Sequence, residues 1–279
     1  MSQKETIRIG HSPDSDDAFM FYALAKDLIP TGPFEIVHVI EDIETLNRRA
    51  LAAELEVTAI SVHAYAYVAK DYMFMPCGAS IGDQYGPLVV SKTPIDTLEG
   101  KRIAIPGEMT TAYLTLSLFQ PNFEAETRPF DKILDAVQQN EVDAGLIIHE
   151  GQLTYAREGL HKVIDLGEWW YEETGLPLPL GANVIRRDLG TEKIRKITAL
   201  LKQSIQYSLD HRARGLEYAM TYARDMETAL ADEFVGMYVN DYTLDYGEKG
   251  RAGVRELLHR GNAAGIIPHR VDAEFVSLG

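Results

Sequence analysis

The sequence predicts an α/β protein of two lobes, each a small, mainly parallel sheet flanked by helices, with a cleft between them. Three observations carry this. A strand, loop, helix, strand, helix, strand order opens the chain and restarts near Gly100; a glycine-punctuated stretch over residues 74–92 separates the two runs; and Leu176–Ile185 offers a strand that returns to the first lobe. A length of 279 residues suits about two domains or lobes. The expected division places residues 1–91 and 187–279 in a discontinuous first lobe and 92–186 in the second.

The elements follow in order. Thr6–Gly10 is a short β-rich run. After the polar loop His11 to Asp17, an apolar helix is expected over Ala18–Ile29, capped by Ser15 or Asp16, with acids suited to its positive end. Phe34–Ile40 is β-rich on both faces, as a strand in a buried parallel sheet should be. Glu41–Leu55 spaces Ile43, Leu46, Ala50 and Leu51 near one helical face, and Val57–Val62 supplies another strand. In the second run, strand Arg102–Ile105, the turn Pro106 to Met109 and helix Thr110–Phe119 repeat the opening order. A strand near Glu126–Phe130, a helix Asp131–Asn140 and the apolar strand Ala144–Ile148 complete it. Beyond the returning strand the chain reads as helices over Thr191–His211, Arg214–Asp225, Met226–Tyr238 and Lys249–Ala264.

Lys and Arg total 27 against 42 Asp and Glu, a formal charge of 27 − 42 = −15, which repels phosphate backbones and anionic lipid surfaces. Nucleic acid and membrane are therefore not expected partners. The single cysteine, Cys77, cannot form an internal disulfide and fits a reducing compartment. Charges interrupt the opening run Met1–Gly10 before a signal-peptide core could form, so the expected location is the cytoplasm.

In doubly wound sheets, ligands sit beyond the C-terminal strand ends, which directs attention to the loops at 10–17, 61–65, 106–111 and 149–155. Thr110, Thr111 and Ala112 begin a helix after a Gly turn, so their amides and hydroxyls suit a carboxylate or phosphate; an ordinary Thr N-cap is the structural alternative. His149 ends the apolar strand at the cleft mouth, where an imidazole can serve as a general base; a surface or capping histidine is the alternative. Ser61 and His63 end another strand facing the cleft, and Ser12 sits in the first loop. The acids Asp14, Asp16 and Asp17 lack the glycine and closing Glu of a calcium loop and read as a capped helix start. Trp169–Tyr171 reads as lobe core at a loop or strand end. Phosphate-binding loop, dinucleotide-binding, hydrolase-elbow and His-Glu-x-x-His patterns are all missing.

Several strings together resemble the 1,4-dihydroxy-6-naphthoate synthases of the futalosine route to menaquinone, which have a type II periplasmic-binding-protein fold. They are Ser12-Pro13 with Phe19–Leu24, Glu41–Arg48, Gly86–Val90, Pro106-Gly107 with Thr110–Tyr113, Ala144–Glu150, and Thr174–Gly181. The resemblance implies a lyase that converts cyclic dehypoxanthine futalosine to 1,4-dihydroxy-6-naphthoate, with release of a three-carbon fragment. It implies no metal or organic cofactor and an aromatic carboxylate as the partner. It also implies His149 as proton acceptor, with Thr111-Ala112 and the segment Ala59, Ile60 and Ser61 contacting the substrate. Two positions depart from the family pattern: the first loop reads Ser-Pro-Asp-Ser-Asp-Asp where members often have Ser-Pro-Cys-Pro-Asn-Asp, and Ala59 stands where many carry Lys. The rival readings are chorismate dehydratase of the same pathway and a non-catalytic cytoplasmic small-anion-binding protein.

Overall fold

Two mixed sheets organise the chain in a computed structural model, which describes residues 4–222 and 227–278. The first lobe is built from β1 (Glu5–His11), α1 (Ser15–Ala25), β2 (Phe34–Ile40), α2 (Ile43–Leu51), β3 (Val57–Ser61), α3 (Val62–Val68), β4 (Tyr72–Phe74) and β5 (Ser80–Gly82). The second comprises β6 (Leu88–Ser91), β7 (Arg102–Ile105), α4 (Thr111–Phe119), β8 (Glu124–Thr127), α5 (Ile133–Gln138), β9 (Ala144–Ile147), α6 (Gly151–Thr154), β10 (His161–Asp165) and α7 (Leu166–Thr174). The chain returns through β11 (Leu178–Arg186) and continues as α8 (Thr191–Asp210), α9 (Arg212–Ala219), α10 (Thr228–Tyr238), α11 (Asp241–Leu244) and α12 (Gly247–Ala263).

The first sheet has the order β2-β1-β3-β11-β4, with β5 also on β11. Strands β2, β1 and β3 are parallel, whereas β11 is antiparallel to β3, β4 and β5. The second sheet runs β10-β6-β9-β7-β8, parallel across β9, β7 and β8 and antiparallel where β6 meets β9 and β10. Each sheet thus has a parallel trio of the kind that short right-handed crossovers produce. The crossings lie at residues 83–87 and 175–177, ending four and nine residues before the expected boundaries at 91 and 186. Strand β6 pairs only within the second sheet and β11 only within the first, so residues 88–91 and 178–186 exchange lobes relative to the sequence division.

Burial explains the elements. All of β3 is buried, which is why Val57–Ser61 needs no polar face. Helix α1 begins at Ser15 rather than Ala18, and its N-cap Asp14 makes no side-chain capping bond, so neither Ser15 nor Asp16 is the cap. It is buried from Ser15 to Leu24 because α8, α9 and α10 pack against it. Segment 62–68 turns helical directly after β3, and 166–174, which includes Trp169–Tyr171, is a helix rather than a loop or strand end. Trp170 is fully buried and donates Nε1–H to Pro177 O at 3.2 Å, so it is core. Strand β8 begins two residues before the expected span, and Phe130 belongs to a 3-10 turn. Asp225 and Met226, where one C-terminal helix was expected to end and the next to begin, lie outside the described residues.

Among the described residues, no helix is long and apolar enough to cross a membrane. Cys77 is a buried free thiol, and burial pushes its pKa up to about 12.

Candidate functional site

A cavity with about 100 Å³ of void, partly open to solvent, lies between the lobes and is lined from both sides. The first lobe contributes Ser12, Asp14, Asp16 and Asp17 from the start of α1, Ala59 and Ser61 from β3, and Asn183 from β11. The second lobe contributes Thr110, Thr111, Ala112 and Ile148, while Phe234 and Tyr238 of α10 close one end. Ligand pockets typically start near roughly 300 Å³, so the void as it stands is small for a ligand of drug size.

On the α4 side, Thr110 caps the helix by accepting from Tyr113 N–H at 3.2 Å. The first-turn amides of Thr111 and Ala112 have no intrahelical acceptor, and with the helix dipole they favour an anion. The Thr111 hydroxyl has another task. It donates to Leu180 O of β11 at 2.7 Å and accepts from His63 N–H at 3.2 Å, and so joins the lobes. His63 itself is buried, with Nδ1 3.3 Å from Thr110 O, and burial lowers its pKa to about 4.

Period-two alternation separates the three β3 candidates. Ala59 and Ser61 line the cavity, while Ile60 points into the hydrophobic core with Val62, Tyr65 and Trp170. Ser61 is held by Asn47: its N–H donates to Asn47 Oδ1 at 2.8 Å, and its Oγ accepts from Asn47 Nδ2 at 3.1 Å. Ala59 brings no charge to the wall, and neither Lys nor Arg is among the described residues lining the cavity.

The opposite wall is acidic. Ser12 N–H donates to Asp17 Oδ2 at 2.6 Å, and Ser12 Oγ donates to Asp14 Oδ2 at 3.0 Å. Ser80 Oγ donates to Asp16 Oδ2 at 3.1 Å. Burial, and then the neighbouring charges of Asp17, Asp14 and Glu150, hold the Asp16 pKa well above the carboxylate range. Burial also pushes Asp17 up to about 6, against the bond from Ser12. The sequence displayed these acids but identified them only as a helix start; their role as cavity wall depends on the α8–α10 cover. Asn183 and Tyr238 carried no sequence signal.

His149 follows Ile148 at the cavity edge, but its ring is directed away from the void. Nε2 lies 3.0 Å from Phe130 O and Nδ1 accepts from Gly151 N–H at 3.0 Å, the pattern of the tautomer that carries its proton on Nε2. Glu150 Oε2 stands 4.0 Å from Nδ1, and its Oε1 accepts from Ser15 Oγ across the cleft at 3.3 Å. One turn on, Gln152 Oε1 accepts from Tyr238 Oη at 2.7 Å. These bonds tie the His149 loop to the first lobe. Among the described residues, no group of three His, Cys, Asp or Glu is placed to hold a metal ion.

Residues 7–263 match the family model described as menaquinone biosynthesis. The chain is 44% identical over 262 residues to the 1,4-dihydroxy-6-naphthoate synthase of Thermus thermophilus, covering 94% of this chain and 96% of that protein. It is 38% identical over 270 residues to the synthase of Streptomyces coelicolor, at 95% coverage of each. A solved structure from Archaeoglobus fulgidus superposes with a TM-score of 0.91 at 50% identity, covering 94% of this chain and 98% of that one. The alkanesulfonate-binding protein of Xanthomonas axonopodis superposes with a TM-score of 0.75 at 15% identity and 98% coverage of each, and a Candida albicans protein described as having the generic periplasmic binding protein fold does so with a TM-score of 0.73 at 13% identity and 98% coverage of each, which identifies that fold.

Proposed function

The chain belongs to the menaquinone-biosynthesis family, and we propose that within it this protein is a 1,4-dihydroxy-6-naphthoate synthase acting as a lyase on cyclic dehypoxanthine futalosine. The observation that carries the reading is that the cavity between the lobes is lined by the start of α4 at Thr110, Thr111 and Ala112 and by Ile148, the residue before His149. The amides of Thr111 and Ala112, with the Ser61 hydroxyl, receive the carboxylate of an aromatic substrate. The Thr111 hydroxyl holds the two lobes in register around it.

His149 is the proposed base. In the closed arrangement its Nδ1 lone pair is occupied by Gly151 N–H. Parting of the lobes to admit a ligand releases the Ser15–Glu150 and Tyr238–Gln152 ties, and with them the loop that carries His149. A rotation of the ring then turns Nδ1 toward the substrate. Removal of a proton there allows ring fragmentation to proceed to an aromatic product, a step to which a positioned base typically contributes about 10²–10⁴-fold. Closure excludes water and fixes orientation. The proposed compartment is the cytoplasm, in keeping with the free Cys77 thiol.

His149→Ala tests the assignment. Turnover should fall by at least about 10²-fold while binding of the substrate changes little. An unchanged kcat removes His149 from the mechanism.

A further inference from the structure

The two walls of the cavity have opposite hydrogen-bonding character, and this orients whatever binds. The α4 wall offers donors, the free first-turn amides. The α1 and β11 wall offers acceptors. Asn183 is decisive among these: it is 1% exposed, lines the cavity, and donates Nδ2–H to Gly78 O at 2.8 Å, which fixes the orientation of its amide. Its Oδ1 is then buried with no hydrogen-bond partner. An orphaned buried acceptor is destabilising unless a ligand satisfies it. Asp16, also a lining residue and 8% exposed, lies on the same wall with only its Oδ2 engaged, by Ser80.

Two kinds of ligand group could meet such a wall: an ammonium or a hydroxyl. The orphaned acceptor is the uncharged amide oxygen of Asn183, which satisfies a hydroxyl donor but does not neutralise a desolvated cation. Hydroxyls require only acceptors. We infer that Asn183 and Asp16 form a hydroxyl-recognition subsite, which binds the polyol portion of a ligand whose carboxylate lies against the start of α4. This rests on the proposed function. It assigns the sugar-derived ring of the nucleoside-derived substrate to the α1 side and the aromatic carboxylate to the α4 side.

The test compares two ligands in one kinetic assay. Cyclic dehypoxanthine futalosine carries the hydroxyls; 2-naphthoate, used as a competitive inhibitor, carries the ring and carboxylate without them. Asn183→Leu should raise KM for the first at least tenfold and leave Ki for the second within twofold. Asp16→Ala, which removes the acceptor, should act in the same direction, and it keeps the test decisive if Asn183→Leu fails to fold. Equal weakening of both ligands, or no change in either, overturns the subsite. Should the wild-type protein not convert the futalosine derivative, the functional reading fails separately, and calorimetric titration with quinate, a polyhydroxylated carboxylate, against benzoate decides the subsite. Quinate binding at least tenfold tighter than benzoate in the wild type, with the difference lost in the variant, sustains it; equal or undetectable binding of the two overturns it.

Discussion

Tyr238 Oη donates to Gln152 Oε1 at 2.7 Å, joining the C-terminal helix α10 to the loop that carries His149. Both side chains are buried, and Gln152 also donates Nε2–H to Ile147 O at 3.3 Å. The bond spans the two lobes. Tyr238→Phe leaves the Gln152 acceptor unpaired in the closed form, at a cost of about 1–2 kcal/mol. Steady-state kinetics should show kcat/KM lowered by about 5- to 30-fold. Wild-type kcat/KM in this variant would mean that the contact does not contribute to closure.

The Thr111 hydroxyl bridges Leu180 O and His63 N–H. Thr111→Val removes both bonds and should destabilise the protein by about 1–3 kcal/mol in urea unfolding. Thr111→Ser retains the hydroxyl and should stay within about 1 kcal/mol of wild type. Similar losses in the two variants would show that the methyl group, not the bridge, matters.

Asp17 has its pKa raised from 3.8 to about 6 by burial. Between those values the folded protein holds a proton that the unfolded chain releases, so this group's contribution to stability falls as pH rises through the window. Asp17→Asn removes that dependence. Relative to wild type the variant should gain stability, on the order of 2 kcal/mol, as pH rises from about 4 to 6 and then level off. The bond from Ser12 contributes a constant offset. Chemical denaturation across this range checks it, and a stability difference that is flat with pH contradicts the burial argument.

A Cβ on Gly167 would stand 2.0 Å from the backbone of Tyr85, where the first crossing passes the start of α7. Neither backbone can move aside without disturbing the Asp165 cap on Gly167 N–H. Gly167→Ala should therefore destabilise by more than about 2 kcal/mol, beyond ordinary overpacking at a side chain. A melting temperature equal to wild type would contradict the close approach.

Most of the fold was legible because the strands announce themselves. Thr6–Gly10, Phe34–Ile40 and Arg102–Ile105 are β-rich runs bounded by turns, and each is a strand. What could not be read was orientation across the sheets, since the antiparallel seats of β6 and β11 depend on where two short crossings lead. Helix α7 escaped notice because its aromatic residues favour no single periodicity and its cap, Asp165, is recognisable only once Gly167 and Glu168 N–H point at it. At the site, the positions of Thr110, Thr111, Ala112 and Ser61 on the cavity wall followed from strand and helix ends. The acceptor wall did not, because Asp16 acquires its character from burial of α1 under α8–α10 and Asn183 from its place on β11 between β3 and β4, which the local sequence does not display.

The central claim is tested most directly by incubating the purified protein separately with cyclic dehypoxanthine futalosine and with chorismate and analysing the products. Formation of 1,4-dihydroxy-6-naphthoate from the first, with chorismate unchanged, is the predicted result. Dehydration of chorismate, or no product from either compound, would contradict it.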